Sequence, residues 1–331
     1  ENNTPFFSSS ALRFSDELTT VAAIEGHGEA SGSAFLDLLG DNNYEVSTAN
    51  LLLGGLTEGT DVALIIAPTT DYTDEEIDLL AAFLENGGKM VGASNGFIRC
   101  PFIVEGLVLG LLGGALAFLA EWGVAVGDGL VFETDQSRAY STQPFYAITD
   151  YAEETYSSLL KDTSIPVLVP VCRPLEVLYS FMENYTTTTL LTFGESAGVR
   201  PSDAGEDFSS KDAEIWGPIP AVVMSSYRLM DSTDATKEVA SSHVIVSGSS
   251  EMLADYTLYN TAFSNAGYMV SLLNELCGRD GMIAVTPKSI VGNALNLNQA
   301  AADTIGMVFI AVIPALMLVF GLVVWLTRRH K

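Results

Sequence analysis

The densest group of chemistry-bearing side chains in the sequence is Glu25-Gly26-His27-Gly28-Glu29, an imidazole flanked two residues to either side by a carboxylate. Imidazole and carboxylate are ligands for first-row divalent metals, and the same donors and acceptors hydrogen-bond sugar hydroxyls. A second polar stretch, Pro68-Thr69-Thr70-Asp71, follows the apolar run Val62–Ala67. If both stretches follow parallel strands, Glu25, His27, Glu29, Thr70 and Asp71 meet at one sheet edge, at the strand ends where open α/β sheets bind ligands. The plainer reading is a glycine-permitted turn whose His and Glu side chains cap nearby backbone groups. Glu-x-His-x-Glu alone is a short signal, and no catalytic group, metal or cofactor is assigned from it.

Three other groups invite chemistry and fail on spacing. Gly248-Ser249-Ser250 lies between a strand and a helix, as a nucleophile elbow would, but Met252 stands where an elbow needs Gly. His243 opens the same strand, too far away to serve as the base, so Ser249 or Ser250 reads as a helix N-cap. Cys100 has no histidine near it in sequence, and Cys172 and Cys277 form no CxxC pair with it or each other. Asp203, Glu206, Asp207 and Asp212 lack the spacing of an EF-hand loop and read as a solvated acidic loop. The chain contains no G-x-x-x-x-G-K-[ST] pattern, so any ATP in its function is bound by another protein.

The elements that would position the His27 edge are well marked. Val21–Ile24 reads as a strand, Ser33–Leu39 as a helix, Tyr44–Thr48 as a strand, and Val62–Ala67 as a strand buried on both faces. Thr73 with Glu76 three residues on forms a capping box, and Ile77, Leu80 and Leu84 share one helical face. Gly87-Gly88 ends that helix and Lys89-Met90-Val91 starts the next strand. This alternation predicts an α/β fold, an open and mostly parallel sheet flanked by helices. Further strands are expected at Ile165–Val171, Thr187–Phe193, Ile219–Tyr227, Val244–Ser247 and Met282–Thr286. A long helix is expected over Leu253–Cys277, and a stalk over Val291–Ala300.

The end of the sequence carries the strongest compositional signal. Ile305–Leu326 is almost uninterruptedly apolar and is followed by Thr327-Arg328-Arg329-His330-Lys331. A run of about 20 apolar residues is the length of a membrane helix, and basic residues after it mark the cytoplasmic side. The expected organisation is an extracytoplasmic α/β domain over 1–303, a transmembrane helix over 304–327 and a basic cytoplasmic tail over 328–331. The chain carries a net charge of −26, and −29 before the anchor once Arg328, Arg329 and Lys331 are set aside. Such a surface repels phosphate backbones and argues against nucleic acid as a partner. Because Glu1–Pro5 does not open a signal peptide, export of the domain requires an upstream signal, or a crossing at the second apolar run, Phe102–Ala120. That run places Gly106, Gly110 and Gly114 at i, i+4 and i+8, a small-residue stripe of the kind that packs membrane helices. Gly321 could serve similarly in the last run.

Several stretches together resemble the gliding-motility-type, GldG-like auxiliary component of ABC transport systems. They are Glu25–Glu29, Asp61–Thr70 through Phe83–Lys89, Leu119–Val124 with Gly127-Asp128-Gly129, and Val246–Leu253, with the anchor and its Arg-Arg tail. The resemblance covers most of residues 18–90 and 119–331. It implies a non-catalytic α/β domain held to the bacterial cytoplasmic membrane beside an ABC-2-type permease and its ATPase, in a family whose members begin with a further domain and a membrane helix. Residues 91–119 depart from it and resemble a membrane segment of FtsX-type permeases. The expected function is therefore that of a membrane-anchored auxiliary subunit acting in assembly or in ligand or partner binding. The alternatives are an envelope hydrolase or carbohydrate-binding protein using the His27 edge, and an FtsX-like regulator of cell-wall hydrolases.

Overall fold

The computed structural model describes residues 18–94, 113–153, 160, 164–231, 233 and 238–279, together with Pro314, Met317, Trp325 and Arg328. The chain divides into two compact units, Glu1–Lys288 and Ser289–Lys331, and every element below belongs to the first. In the second, the four described residues are helical. The run Ile305–Leu326 otherwise lies outside the described residues, among which no helix is long and apolar enough to cross a membrane. Cys100, Gly106, Gly110, Gly321, the expected strand at 282–286 and the stalk at 291–300 also fall outside them.

The first half alternates as its sequence pattern requires: β1 (Thr19–Ile24), α1 (Ser33–Asp41), β2 (Tyr44–Ala49), β3 (Val62–Ile66), α2 (Asp74–Glu85), β4 (Lys89–Ala93) and α3 (Gly113–Glu121). The second half holds β5 (Val124–Val126), β6 (Leu130–Glu133), β7 (Tyr146–Tyr151), β8 (Val167–Pro170), β9 (Leu175–Val177), β10 (Phe181–Met182), β11 (Tyr185–Phe193), β12 (Ala197–Arg200), β13 (Ile219–Met230) and β14 (Glu238–Ser247). It closes with α4 (Asp255–Leu258) and α5 (Asn265–Leu276).

One ten-stranded sheet runs in the order β2-β1-β3-β4-β14-β13-β11-β7-β8, with β10 paired to β11. Two small antiparallel pairs, β6 with β12 and β5 with β9, stand apart from it. The expected mostly parallel sheet is corrected here. β2, β1, β3, β4 and β14 pair in parallel. The steps from β14 through β13, β11 and β7 to β8, and from β10 to β11, are antiparallel. Connection chemistry explains part of the change: parallel neighbours need a crossover such as a helix, whereas β10 returns to β11 through the turn Glu183-Asn184 and β13 returns to β14 through a short connection, and both pair antiparallel.

Both faces of the sheet are covered. On one, Phe35, Leu38 and Leu39 of α1 pack with Met269, Leu272 and Leu273 of α5. On the other, Leu80 and Leu84 of α2 pack with Phe118 of α3 and Trp122. With cover on both faces, all five residues of β3 are buried, as its unbroken apolar run predicts. The helix expected over 253–277 is broken instead. The Asn260 side chain accepts from the Ala262 amide, Ser264 donates its amide to Pro166, and the buried Asn265 amide group bonds both the N–H and the carbonyl of Leu168. These local side-chain bonds compete with helix continuation.

The segments on either side of residues 95–112 belong to the same sheet. β4 pairs with β14 over five residues, and the Ser94 amide donates to the Ser247 carbonyl.

Candidate functional site

The strand order reverses between β1 and β3, since the chain leaves β1 toward β2 on one side and continues through β3 to β4 on the other. The carboxyl ends of β1 and β3 therefore flank the crevice where an open α/β sheet binds ligands. The structure brings three of the five expected residues, His27, Glu29 and Thr70, into hydrogen-bond contact there. The His27 carbonyl accepts the amides of Thr69 at 2.8 Å and Thr70 at 3.1 Å, which ties the two loops to each other. Gly28 is required at this crossing. Its φ is +71°, and a Cβ there would lie 2.1 Å from the Thr69 hydroxyl oxygen, which itself donates to the His27 carbonyl.

His27 is held from three sides. Its Nε2 is 2.8 Å from Glu76 Oε1, its Nδ1 is 3.2 Å from the Thr70 hydroxyl, and its ring lies 4.1 Å from that of Tyr72. Glu76, only 2 % exposed, completes its coordination through Oε2, which accepts from the Thr73 amide at 2.9 Å and the Thr73 hydroxyl at 3.0 Å. Burial alone would raise the Glu76 pKa. The Thr73 amide, the His27 ring and the Thr73 hydroxyl together outweigh it, and the carboxyl sits below its ordinary value. Glu29 turns back on its own loop: Oε2 accepts the amides of Gly26 and His27, and Oε1 accepts the Tyr72 hydroxyl at 2.8 Å. Burial, then the Glu29 carboxylate, pushes the Tyr72 phenol far above its usual range.

Asp71 serves a third element. Its carboxylate accepts the amides of Gly114 at 2.8 Å and Ala115 at 3.1 Å, capping the first turn of α3. Glu25 stands apart, exposed, its amide donated to Ala49. The arrangement thus ties β1, β3, α2 and α3 together. Glu76 and Tyr72 hold His27 and Glu29, yet neither was expected at the site. Glu76 is visible in sequence only as the N3 member of its capping box, a role it also fills.

The remaining candidates have structural partners. Ser249 is fully buried; its hydroxyl donates to the Pro170 carbonyl and accepts the Glu251 amide at 3.1 Å, so it caps a 3-10 turn. Asp212 forms a capping box with Ser209, and Arg200 braces the acidic loop by donating to the carbonyls of Ala204 and Gly205. Among the described residues no group of three or more His, Cys, Asp and Glu is placed to hold a metal. A cleft of about 600 Å³ opens elsewhere, ahead of β3 and β4, between the loop carrying Leu56 and Glu58 and the end of α2 at Phe83 and Asn86.

The described region is thus an α/β domain built on a mixed sheet, with its switch-point loops bonded to one another. Residues 18–146 match the family model of an ABC-type uncharacterized transport system, which supports an auxiliary component of an ABC transporter. No curated protein matches the chain. The mmIFT52 N-terminal domain is similar in structure, with 15 % identity, 79 % of this chain and 99 % of that chain covered, and a TM-score of 0.53. A ThuA-like protein from Bacteroides uniformis shows 12 % identity over 85 % of this chain and 98 % of its own, at a TM-score of 0.40. PurLQS from Thermotoga maritima shows 10 % over 78 % and 100 %, at 0.36. The first of these likenesses is one of fold, and the other two carry no argument.

Proposed function

We propose that this chain is a non-catalytic, membrane-anchored auxiliary subunit of an ABC-2-like transport system in the bacterial cytoplasmic membrane. The family match over residues 18–146 carries the reading. The apolar run Ile305–Leu326 with its basic end supports anchorage at the C-terminus, with the α/β domain outside the cytoplasm. The shared sheet supports one side for the whole domain: β4 lies before residue 95 and its partner β14 after residue 112, so a single crossing between them would split a paired sheet. In this role the domain binds or orders its partners, a permease and an ATPase, while the ATPase supplies the energy. Purification of the full chain in mild detergent is expected to recover both partners. A chain that repeatedly purifies alone overturns the reading.

One observation favours a second reading, a hydrolase of the cell envelope. The exposed Thr70 hydroxyl, His27 and the buried Glu76 stand in the order hydroxyl, imidazole, carboxylate, at 3.2 and 2.8 Å. Loss of an envelope-hydrolysing activity in Thr70→Val, with folding unchanged, would favour it over the auxiliary role.

A further inference from the structure

Two helices end on a glutamate beside the same group of rings. α2 closes at Glu85 and α3 at Glu121, and neither has a base in its last turn. A carboxylate there meets the negative end of the helix dipole, where a cation is favoured, so both placements cost stability. A third acid, Glu183, sits in the β10–β11 turn at φ +53°, in the left-handed region that Gly or Asn enters more readily. All three are exposed, and among the described residues none of their carboxylates has an ion-pair or hydrogen-bond partner.

The rings between these acids are held in place. Tyr185 and Tyr227 stand directly opposite each other in the β11–β13 pairing, with centroids 4.8 Å apart. The Trp122 indole meets Tyr185 edge-on at 5.2 Å and Tyr227 at 6.4 Å. Tyr179 donates its hydroxyl to the Glu121 carbonyl, and its ring lies against the backbone at Gly123, where φ is +79° and a Cβ would come within 2.8 Å of it. Burial first, then Tyr227, then Glu121, Glu85 and Glu183 raise the Tyr185 phenol above its usual value, so all three carboxylates act on one ring. The bases nearby face elsewhere. Arg228 follows Tyr227 on the opposite face of β13 and pairs with Glu238 at 3.9 Å, and Lys89 lies beside His243, which faces Ser226 rather than Tyr227.

Aromatic faces bordered by unpaired carboxylates attract cations through the ring quadrupole and through charge. A guanidinium suits this arrangement better than an ammonium, because its planar fork stacks on tyrosine while reaching carboxylates on separate elements. The surrounding field has the same sign: residues 18–94 carry thirteen Asp and Glu against one base, Lys89, which steers a basic partner toward the domain. We propose that the tyrosine surface of Tyr179, Tyr185 and Tyr227, backed by Trp122, receives an arginine side chain of a protein partner, with Glu85, Glu121 and Glu183 as its counter-charges. That the arginine belongs to a protein rests on the auxiliary role proposed above.

The test uses the full chain in mild detergent, with Trp216→Phe and Trp325→Phe leaving Trp122 as the single indole for nitrogen-15 NMR. N-acetyl-arginine amide is expected to move the Trp122 signal saturably, and N-acetyl-citrulline amide, of like shape without the charge, to bind about ten-fold more weakly. Glu85→Gln combined with Glu121→Gln should weaken arginine binding several-fold while the urea midpoint stays level or rises, since acids leave two helix ends. No saturable shift, or equal binding of both compounds, overturns the site. A lowered urea midpoint in the double variant also overturns it, because the carboxylates then serve the fold. In that variant the recovery of permease and ATPase is expected to fall several-fold. Full recovery with arginine binding lost overturns the docking role and leaves the auxiliary reading standing. A parent chain that purifies alone overturns that reading, and the partner's arginine with it.

Discussion

At the scale of single residues, the His27–Glu76 contact is the most consequential pair. Removing the imidazole leaves Oε1 of the buried Glu76 without its hydrogen-bond partner. His27→Ala is therefore expected to destabilise the domain by about 1–3 kcal/mol, read from the urea midpoint. His27→Gln, which keeps a donor, should recover part of that loss. His243 gives a pH dependence of definite sign. Burial first, and Lys89 second, bring its pKa from 6.5 down to about 4, while its Nδ1 lies 2.9 Å from the Ser226 hydroxyl. Between those values the unfolded chain binds a proton that the folded state refuses, so stability rises with pH. The contribution is complete above pH 6.5, is lost as the pH falls toward 4, and amounts to something on the order of 2 kcal/mol. Denaturation midpoints compared between the parent and His243→Gln at pH 7.5 and pH 4.5 should show a smaller difference in the variant. The meeting of the His27 loop with the loop after β3 was legible in sequence, but the partner of His27 was not, because Glu76 lies 49 residues away and reaches it only once β1 and β3 are side by side.

Helix starts show at the scale of elements what sequence can and cannot reveal. The Thr73–Glu76 capping box of α2 is a local pattern and reads directly from the chain; the structure contains both of its bonds. The cap of α3 comes instead from Asp71, 43 residues before Gly114, and no local pattern announces it. Thr73→Ala and Asp71→Ala are each expected to cost about 1 kcal/mol. They separate in hydrogen exchange: the first should loosen amides at the start of α2, the second those of residues 114–118. The elements that sequence missed, β5, β6, β7, β9, β10 and β12, are mostly two to four residues long, too short for an alternating pattern to emerge. The break between α4 and α5 was missed for another reason. The apolar residues on both sides keep helical spacing, and only the side-chain bonds of Asn260 and Asn265 divert the backbone.

For the whole molecule, the parallel half of the sheet was readable because its strands and crossovers alternate in order, whereas the antiparallel half depends on pairings that hydrophobic pattern alone does not set. The shared sheet predicts that Leu53→Cys and Ser202→Cys react alike with a membrane-impermeant thiol reagent in intact cells. Labelling of one without the other would mean that the two flanks of residues 95–112 lie on opposite sides. β14 is the joint between the halves, parallel to β4 on one side and antiparallel to β13 on the other, and it pairs Lys89 with His243. Contacts between residues so distant in sequence close late and slowly in folding. A ribosome making this chain has released nearly the whole domain before β14 can enter the sheet. The four early parallel strands must wait with an open edge, and a domain exported during synthesis would pass through its channel unfolded, leaving the chaperones on the far side to guard that edge until the last strand arrives.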